Sequence, residues 1–386
     1  MSAKPTSKRT ILVLTGSRGE WGYLRPVLRN IEADSRLKYS LIVTNMHLLP
    51  EFGSSLREIV RDGFHVEQKI FMALDGYTSG SMSKSLGIFL SSLADTIERV
   101  QPDIILLAGD RGEQLMAAMA GAHCNIPVAH IQAGEVSGNI DGMTRHAIAR
   151  FAHIHFAANK DAEDRLVRTG EEKFRVFRVG APQLDELLGS DHEPIKEVVE
   201  RLNFDPSKPI VLMLQHPVTE QVRYVAQQIG TTLSALAELR HQTIIIYPNN
   251  DAGSTVIRQE IDSFRGPWLR VERNVSRRFY AGLLRAASVI VGNSSSGILE
   301  APSFELPCVN IGRRQQGRLQ AKNVINVGHD KSEIVQAVGT VLMPEFRRSL
   351  AGLKNPYGDG HASERIVDIL ATCVIDERLL FKSMSY

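Results

Sequence analysis

Six short stretches of this 386-residue chain carry residue types that can do chemistry, and each directly follows or closes an apolar, strand-like run. Thr15-Gly-Ser-Arg-Gly-Glu-Trp-Gly (15–22) sets glycine-flanked backbone N–H groups and Arg18 at a helix start. That arrangement suits a phosphate group, or equally a tight turn with a solvated arginine. Its spacing is not the Gly-x-Gly-x-x-Gly fingerprint, so no dinucleotide cofactor is expected. Gly109-Asp-Arg-Gly-Glu (109–113) puts Asp110 at the mouth of a very apolar run, placed for catalysis or for capping the next helix. Arg111 beside it can pair with it or hold an anion. The richest stretch, 130–146, gathers Gln132, Glu135, Asp141, Arg145 and His146 in one glycine-broken loop that leads into a helix. Acids, a cation and an imidazole that close together suit general acid–base work on a polar substrate.

The second half of the chain offers binding chemistry. In Gln215-His-Pro-Val-Thr-Glu (215–220), Pro217 restrains His216 at the end of a strand. Tyr247-Pro-Asn-Asn-Asp-Ala-Gly (247–253) brings Asn249, in a composition that turn formation alone would explain. Val291-Gly-Asn-Ser-Ser-Ser-Gly-Ile-Leu-Glu (291–300) places Asn293, Ser294, Ser295, Ser296 and Gly297 between a strand and a helix start. Hydroxyls and orphan N–H groups that all point outward there would form a phosphate cradle. Glu300, roughly two turns into that helix, would reach a ribose diol. His153-Ile-His155 looks like a metal pair but lacks a third ligand, so it reads as packing and no metal is expected. Together these loops describe a diphosphate-linked ligand held by the second half and acid–base residues facing it from the first.

The elements that must position these loops are legible as alternating strands and helices. Apolar runs fall at Thr10–Leu14, Tyr39–Val43, Ile104–Leu107, Val128–Ile131, His155–Ala158 and Phe174–Val179, with helical patterns at Tyr23–Ile31, Gly87–Val100 and Glu113–His123 between them. A second series runs Ile210–Leu214, Thr243–Tyr247, Leu269–Val271, Val289–Val291 and Cys308–Ile311, with helices at Glu220–Leu239, Arg277–Ala287 and Ser295–Pro302. Such alternation implies α/β architecture with two doubly wound parallel sheets, whose ligands bind at the C-terminal ends of the strands. The division expected is a disordered tail over 1–9, a first domain over 10–187 and a second over 188–365. Turn-rich chain around one short helix links the two, and a single C-terminal helix over His361–Met384 folds back so that 366–386 packs on the first domain.

Composition narrows the partners. Lys and Arg total 45 against 43 Asp and Glu, a formal charge of +2 with no long basic run, which argues against nucleic acid. No apolar run approaches the roughly 18–20 residues needed to span a bilayer, and no secretory signal opens the chain, so a cytoplasmic address is expected. Three scattered cysteines make neither a disulfide framework nor a zinc site.

The motifs jointly resemble the hydrolysing UDP-N-acetylglucosamine 2-epimerases of the sialic and legionaminic acid pathways, over nearly the whole chain. The matching pieces are 16–22, Met-His-Leu-Leu-Pro-Glu-Phe-Gly (46–53), Gly-Asp-Arg (109–111), Ile-Asp-Gly-Met-Thr-Arg-His-Ala-Ile (140–148), His-Pro-Val-Thr (216–219) and Gly-Asn-Ser-Ser-Ser-Gly (292–297). The resemblance implies a GT-B fold, no metal or redox cofactor, a nucleotide-sugar substrate and a homodimer or homotetramer. It implies catalytic acids at Asp110 and Asp141, a diphosphate-contacting His216, and nucleotide contacts from Arg18, Ser294, Ser295 and Glu300. One position departs: where such enzymes usually have a catalytic glutamate this chain has Gln132, and an amide cannot shuttle protons. Either Glu135 takes over, or the chemistry is altered, or the chain is a nearly inactive binder. Tyr23, where non-hydrolysing relatives often have lysine, favours the hydrolysing branch. A GT-B glycosyltransferase would use the same cradle. The sugar expected is a UDP-linked N-acetylhexosamine, with a 6-deoxy-2,4-diacetamido sugar or a GDP-linked form as alternatives.

Overall fold

The computed structural model describes residues 8–50, 55–74, 78–137 and 140–384. Seven parallel strands build the first sheet: β1 (Arg9–Thr15), β2 (Leu37–Thr44), β3 (Val66–Ile70), β4 (Ile104–Ala108), β5 (Val128–Ile131), β6 (Ile154–Ala157) and β7 (Val176–Arg178), in the order β3-β2-β1-β4-β5-β6-β7. Six more build the second: β8 (Ile210–Leu214), β9 (Gln242–Ile246), β10 (Leu269–Glu272), β11 (Val289–Gly292), β12 (Cys308–Ile311) and β13 (Val324–Val327), in the order β10-β9-β8-β11-β12-β13. The chain direction of the order reverses between β1 and β4 in one sheet and between β8 and β11 in the other. Loops leaving those strands therefore diverge to opposite faces and leave a crevice at each switch point.

Period-two alternation explains why both sheets are covered twice. Ile11 and Val13 enter one apolar core with Ile104, Leu106 and Ala108, whereas Leu12 and Leu14 enter the opposite one with Ile105 and Leu107. Val211 and Met213 against Ile210, Leu212 and Leu214 divide the second sheet in the same way. Strands buried on both faces need no polar alternation, which is why they read as continuous apolar runs.

Several expectations need correction. Arg9 belongs to β1 and donates to the Leu370 carbonyl at 2.5 Å, while residues 1–7 of the expected tail lie outside the described residues. The linking segment carries two helices, Gln183–Leu188 and Ile195–Leu202. The expected helix Glu220–Leu239 begins as a 3-10 turn, Thr219–Tyr224, before the α-helix Val225–Leu239. Over Ser295–Pro302 the helix lasts only from Ser296 to Leu299 and continues as the 3-10 turn Ala301–Phe304. The C-terminal helix stops at Thr372, and a separate turn, Glu377–Leu380, follows an extended stretch. Cys373-Val374-Ile375 disfavours helix, and Asp376 caps the new start by accepting from the Leu379 N–H. This C-terminal segment lies against the first sheet, with Ile366, Val367, Leu370 and Leu379 in its core.

Gly292, at the end of β11, has φ +132°, and a Cβ there would overlap the Leu214 carbonyl of β8. Gly292→Ala should therefore cost roughly 2–3 kcal/mol of stability, measured by chemical denaturation. A loss below about 0.5 kcal/mol, the range of an ordinary surface change, would contradict this packing.

Candidate active site

Both switch points open into one cleft between the sheets. After β1, Ser17 caps the helix Arg18–Ala33 in a reciprocal box with Glu20, whose carboxyl accepts from the N–H groups of Gly16 and Ser17. The cap fixes the helix start, and Arg18 projects from it into the second half. Its guanidinium donates to the carbonyls of Arg273 (2.8 Å), Tyr247 (3.2 Å) and Pro248 (3.1 Å) and to Asn274 Oδ1 (3.2 Å). Burial lowers Arg18 to about 10, so it stays charged at neutral pH.

A cavity of about 190 Å³ lies here, lined from the first half by Arg18 and Tyr23 and from the second by His216, Ser294, Ser295, Ser296 and Glu300. The serine hydroxyls do not all face outward as expected. Ser294 Oγ accepts from the Ser296 N–H, and Ser296 Oγ donates to Glu300 Oε2 at 2.5 Å while also meeting the Tyr280 hydroxyl. Glu300 is further held by Arg277 at 3.6 Å. Gly297 lines no part of this cavity; it is there because a Cβ would overlap Cys308 on β12.

His216 is fixed by its neighbours more than by Pro217. Asn293 Oδ1 accepts from the His216 N–H (2.7 Å), Asn293 Nδ2 donates to the His216 carbonyl (2.8 Å), and the Asn249 N–H donates to Nδ1 (3.1 Å). Burial, followed by the charges of Arg314, Arg18 and Arg111, holds the imidazole well below its ordinary pKa. The ring is thus neutral with its proton on Nε2, a hydrogen-bond donor. Asn249 and Asn293 act on His216 rather than lining either cavity of the cleft.

After β4, Arg111 joins the two halves. Its Nε lies 3.1 Å from Glu113, Nη1 2.8 Å from Asp251 and Nη2 3.1 Å from Asn250. Asn45, in the left-handed region at φ 48°, closes a ring by donating to Glu113 (3.0 Å) and accepting from Asn250 (2.9 Å). A second cavity of about 250 Å³ borders this ring and is lined by Asp141, Thr144, Met72, Leu74 and Leu86 among others.

The acid–base candidates separate clearly. Asp110 does not cap the next helix, whose cap position is Arg111 without a side-chain bond. Its carboxyl instead accepts from Arg145 and, at 3.4 Å, from Ser137. Burial opposes its ionisation, but Arg145, then Arg318, outweighs burial and holds it below the usual carboxylate range. Asp141, in the first turn of the helix Ile140–Phe151, is pushed up to about 7 by burial and by the nearby charges of Asp110 and Asp251, against the pull of Arg314 at 3.8 Å. Two neighbouring carboxyls are thus driven apart in ionisation, an environment that an acid–base pair requires.

Gln132 is buried with φ +64°; its backbone carbonyl accepts from Arg145 (3.1 Å), and its Nε2 has no hydrogen-bond partner among the described residues. The Glu135 carboxyl accepts from Asn159 at 2.5 Å, at the start of the helix Lys160–Arg168, and lines neither cavity. Burial pushes it up. His146 is half-buried beside Arg145 and also lines neither cavity. His155 bonds Glu171 at 2.8 Å and His153 accepts from the Val128 N–H at 3.1 Å. Among the described residues, no three His, Cys, Asp or Glu side chains are grouped as metal ligands would be.

Two cleft residues escaped the sequence reading. Arg314 and Arg318 leave β12 in Gly-Arg-Arg-Gln-Gln-Gly-Arg (312–318), and Arg318 crosses to the Val136 carbonyl (2.7 Å) and Ser137 Oγ (3.0 Å). The signal was present, because this basic loop also follows a strand. Tyr23 lies among Asp110, Arg145, Arg318 and Glu300, and burial pushes its hydroxyl up to about 12.

A family model described as UDP-N-acetylglucosamine 2-epimerase matches residues 29–371. The chain belongs to the UDP-N-acetylglucosamine 2-epimerase family. One relative in this family, a UDP-N,N′-diacetylbacillosamine 2-epimerase (hydrolyzing) of Legionella pneumophila, is 37% identical over 98% of this chain and 100% of its own length. A UDP-N-acetylglucosamine 2-epimerase of Neisseria meningitidis serogroup B is 34% identical over 86% of each. The crystal structure of UDP-GlcNAc 2-epimerase from Neisseria meningitidis bound to UDP-GlcNAc aligns with a TM-score of 0.78 at 19% identity, over 94% of this chain and 99% of that one. That likeness shows the shared epimerase fold, here the expected GT-B pair of α/β units. No helix among the described residues is long and apolar enough to cross a membrane.

Asp141 is protonated below about pH 7 and ionised above it. A step that needs the ionised carboxyl therefore slows as pH falls through that value. Arg314 stabilises the ionised form, so Arg314→Ala should raise the Asp141 midpoint and move the acidic limb of kcat/KM to higher pH. Carboxyl ¹³C titration by NMR checks this, and an unchanged or lowered midpoint contradicts it.

Proposed function

We propose that this chain is a hydrolysing 2-epimerase that converts a UDP-linked N-acetylhexosamine, UDP-N-acetylglucosamine first among them, into UDP and the free 2-epimer. The observation that carries the reading is the pair Asp110 and Asp141, their ionisation driven apart in one cleft: Asp141 lines the cavity of about 250 Å³, and Asp110 acts on Tyr23, which lines the cavity that holds His216 and the serine loop. The C2 proton is too weakly acidic for a carboxylate to remove unaided. Breaking the C1–O bond to the diphosphate builds positive charge at C1, which acidifies C2. The carboxylate takes the C2 proton, the C–H electrons form the C1=C2 double bond, and the C1–O pair leaves with UDP. Protonating the 2-acetamidoglucal at C2 from the opposite face, with water adding its oxygen at C1 and yielding its proton to the base, gives the epimer.

Each role follows from what the side chains can supply. Asp141, near neutrality, can accept the C2 proton from one face of the ring. Asp110, kept ionised by Arg145, steadies cationic character or takes the second proton position. The Nε2–H of His216, the Ser294–Ser296 backbone and Arg18 face the departing diphosphate, and Glu300 the ribose. Arg111, Arg145, His146, Asn249 and Asn293 support the sugar and phosphate sites. Glu135, engaged by Asn159, orients the loop, and Gln132, buried outside both cavities, holds Arg145 through its backbone carbonyl.

In this reading 10–187 is the acid–base half, 188–365 the nucleotide half, and 366–386 a return to the first. A sialic- or legionaminic-type acid pathway belongs to this reading through the motif resemblance, and the N-acetylated UDP-sugars in the names of the two relatives agree with it. Three cysteines without a disulfide suit the cytoplasm. Phe71 and Met143, each 72% exposed on the first half, suit a homo-oligomer. One observation favours a second substrate. Met72, Leu74 and Leu86 make an apolar wall near Asp141, which fits the C6 methyl of a 2,4-diacetamido-2,4,6-trideoxy sugar.

The test is nucleotide release without any acceptor, on UDP-N-acetylglucosamine, the UDP-linked diacetamido sugar and its GDP counterpart. UDP should appear in step with free 2-epimer, and Asp110→Asn and Asp141→Asn should each slow release by about 10²–10⁴-fold. Release that requires an acceptor would make the chain a glycosyltransferase. Turnover that appears only in Gln132→Glu would make it a binder silenced by the glutamine.

A further inference from the structure

The helix Ile140–Phe151 carries Asp141 in its first turn and Arg145 near its middle, and its other end is closed by the C-terminal segment. Lys382 Nζ donates to the carbonyls of Ala152 (2.7 Å) and Ala149, two acceptors at the helix C-terminus that no further turn can satisfy. The same ammonium lies 2.7 Å from Glu171 Oε2. Glu171 is fully buried; its other oxygen meets Arg150, on the same helix, at 2.7 Å, and His155 approaches at 2.8 Å. Lys382 is itself placed by Arg175, which donates to the carbonyls of Arg378 (2.8 Å), Leu379 (2.6 Å) and Phe381 (2.9 Å), and by Leu379, which is sunk in the first-sheet core. A segment more than two hundred residues distant in sequence thus grips the far end of the helix that holds the acid–base residues.

We propose that Lys382 is a positioning residue for the reaction: by capping the helix Ile140–Phe151 and pairing with Glu171, it sets the axial position and tilt of that helix, and through them the place of Asp141 and Arg145 in the cleft. The inference rests on the epimerase reading for the role of those two residues. A helix of this length is a stiff rod of roughly 18 Å. An axial shift at one end is carried along its hydrogen-bonded turns toward the other, and a displacement of about 1 Å at a reacting group can cost about 100-fold in rate. The nucleotide contacts come chiefly from the second half, which the latch does not touch, so nucleotide affinity should be spared.

The experiment compares the full chain with Lys382→Met, which keeps the aliphatic stem, and Lys382→Arg, which restores donors and charge. Active sites are counted by UDP titration, so that kcat refers to folded sites alone. The expected result is a kcat lowered about 10–100-fold in Lys382→Met, with KM and UDP affinity within about twofold. The ¹³C midpoint of Asp141 should be displaced, and most of both losses recovered in Lys382→Arg. An unchanged kcat, or a UDP affinity that falls in parallel with kcat, overturns the proposal. If the full chain itself shows no turnover, the epimerase reading fails separately. The Asp141 midpoint then decides the latch, since a midpoint identical in all three proteins would overturn it.

Discussion

Arg111 divides one guanidinium between the two halves of the chain, Glu113 on its own side and Asp251 and Asn250 on the other, and the cleft depends on that division. Asn45 completes the ring by donating to Glu113 of the first half and accepting from Asn250 of the second. Removing one member of a buried ion pair leaves an uncompensated group and costs roughly 3–5 kcal/mol. The ring therefore fixes how closely the loop after β4 approaches the loop after β9. Arg18, Arg314 and Arg318 add further crossings in both directions.

These crossings also make the chemistry. Asp110 and Asp141 belong to the first half, yet Arg318 helps hold Asp110 down, and Arg314 opposes the rise of Asp141 that burial and Asp251 produce. Neither carboxyl would have its ionisation set by its own domain alone. An open cleft would admit water, relieve the burial and let the two pKa values drift together. Closure thus sets both carboxyls for the proposed reaction, whose alkene intermediate must be kept in place between two proton transfers.

Much of this was legible from the chain. Val128–Ile131, Ile210–Leu214 and Cys308–Ile311 were read to the residue, because strands covered on both faces are unbroken apolar runs. β3 and β13 were missed because they lie at sheet edges, where Val-Glu-Gln-Lys-Ile and Val-Ile-Asn-Val carry polar residues that blur the run. The candidate loops do follow strands, and Asp141 and His216 line the two cavities, while Asp110 lies behind them against Arg145. The inward turn of Ser296 toward Glu300 and of Glu135 toward Asn159 could not be read from spacing, since both depend on side-chain partners set by tertiary packing. Arg314 and Arg318 were overlooked for a different reason: a basic loop resembles a solvated one until something acidic is placed opposite it.

The central claim is that proton transfer at C2 accompanies loss of the nucleotide, and the most direct measurement follows that proton. Proton NMR of the chain with UDP-N-acetylglucosamine in D2O should show free N-acetylmannosamine carrying deuterium at C2, together with UDP. A free sugar that retains its original C2 hydrogen, or UDP released with the starting configuration intact, would contradict the account.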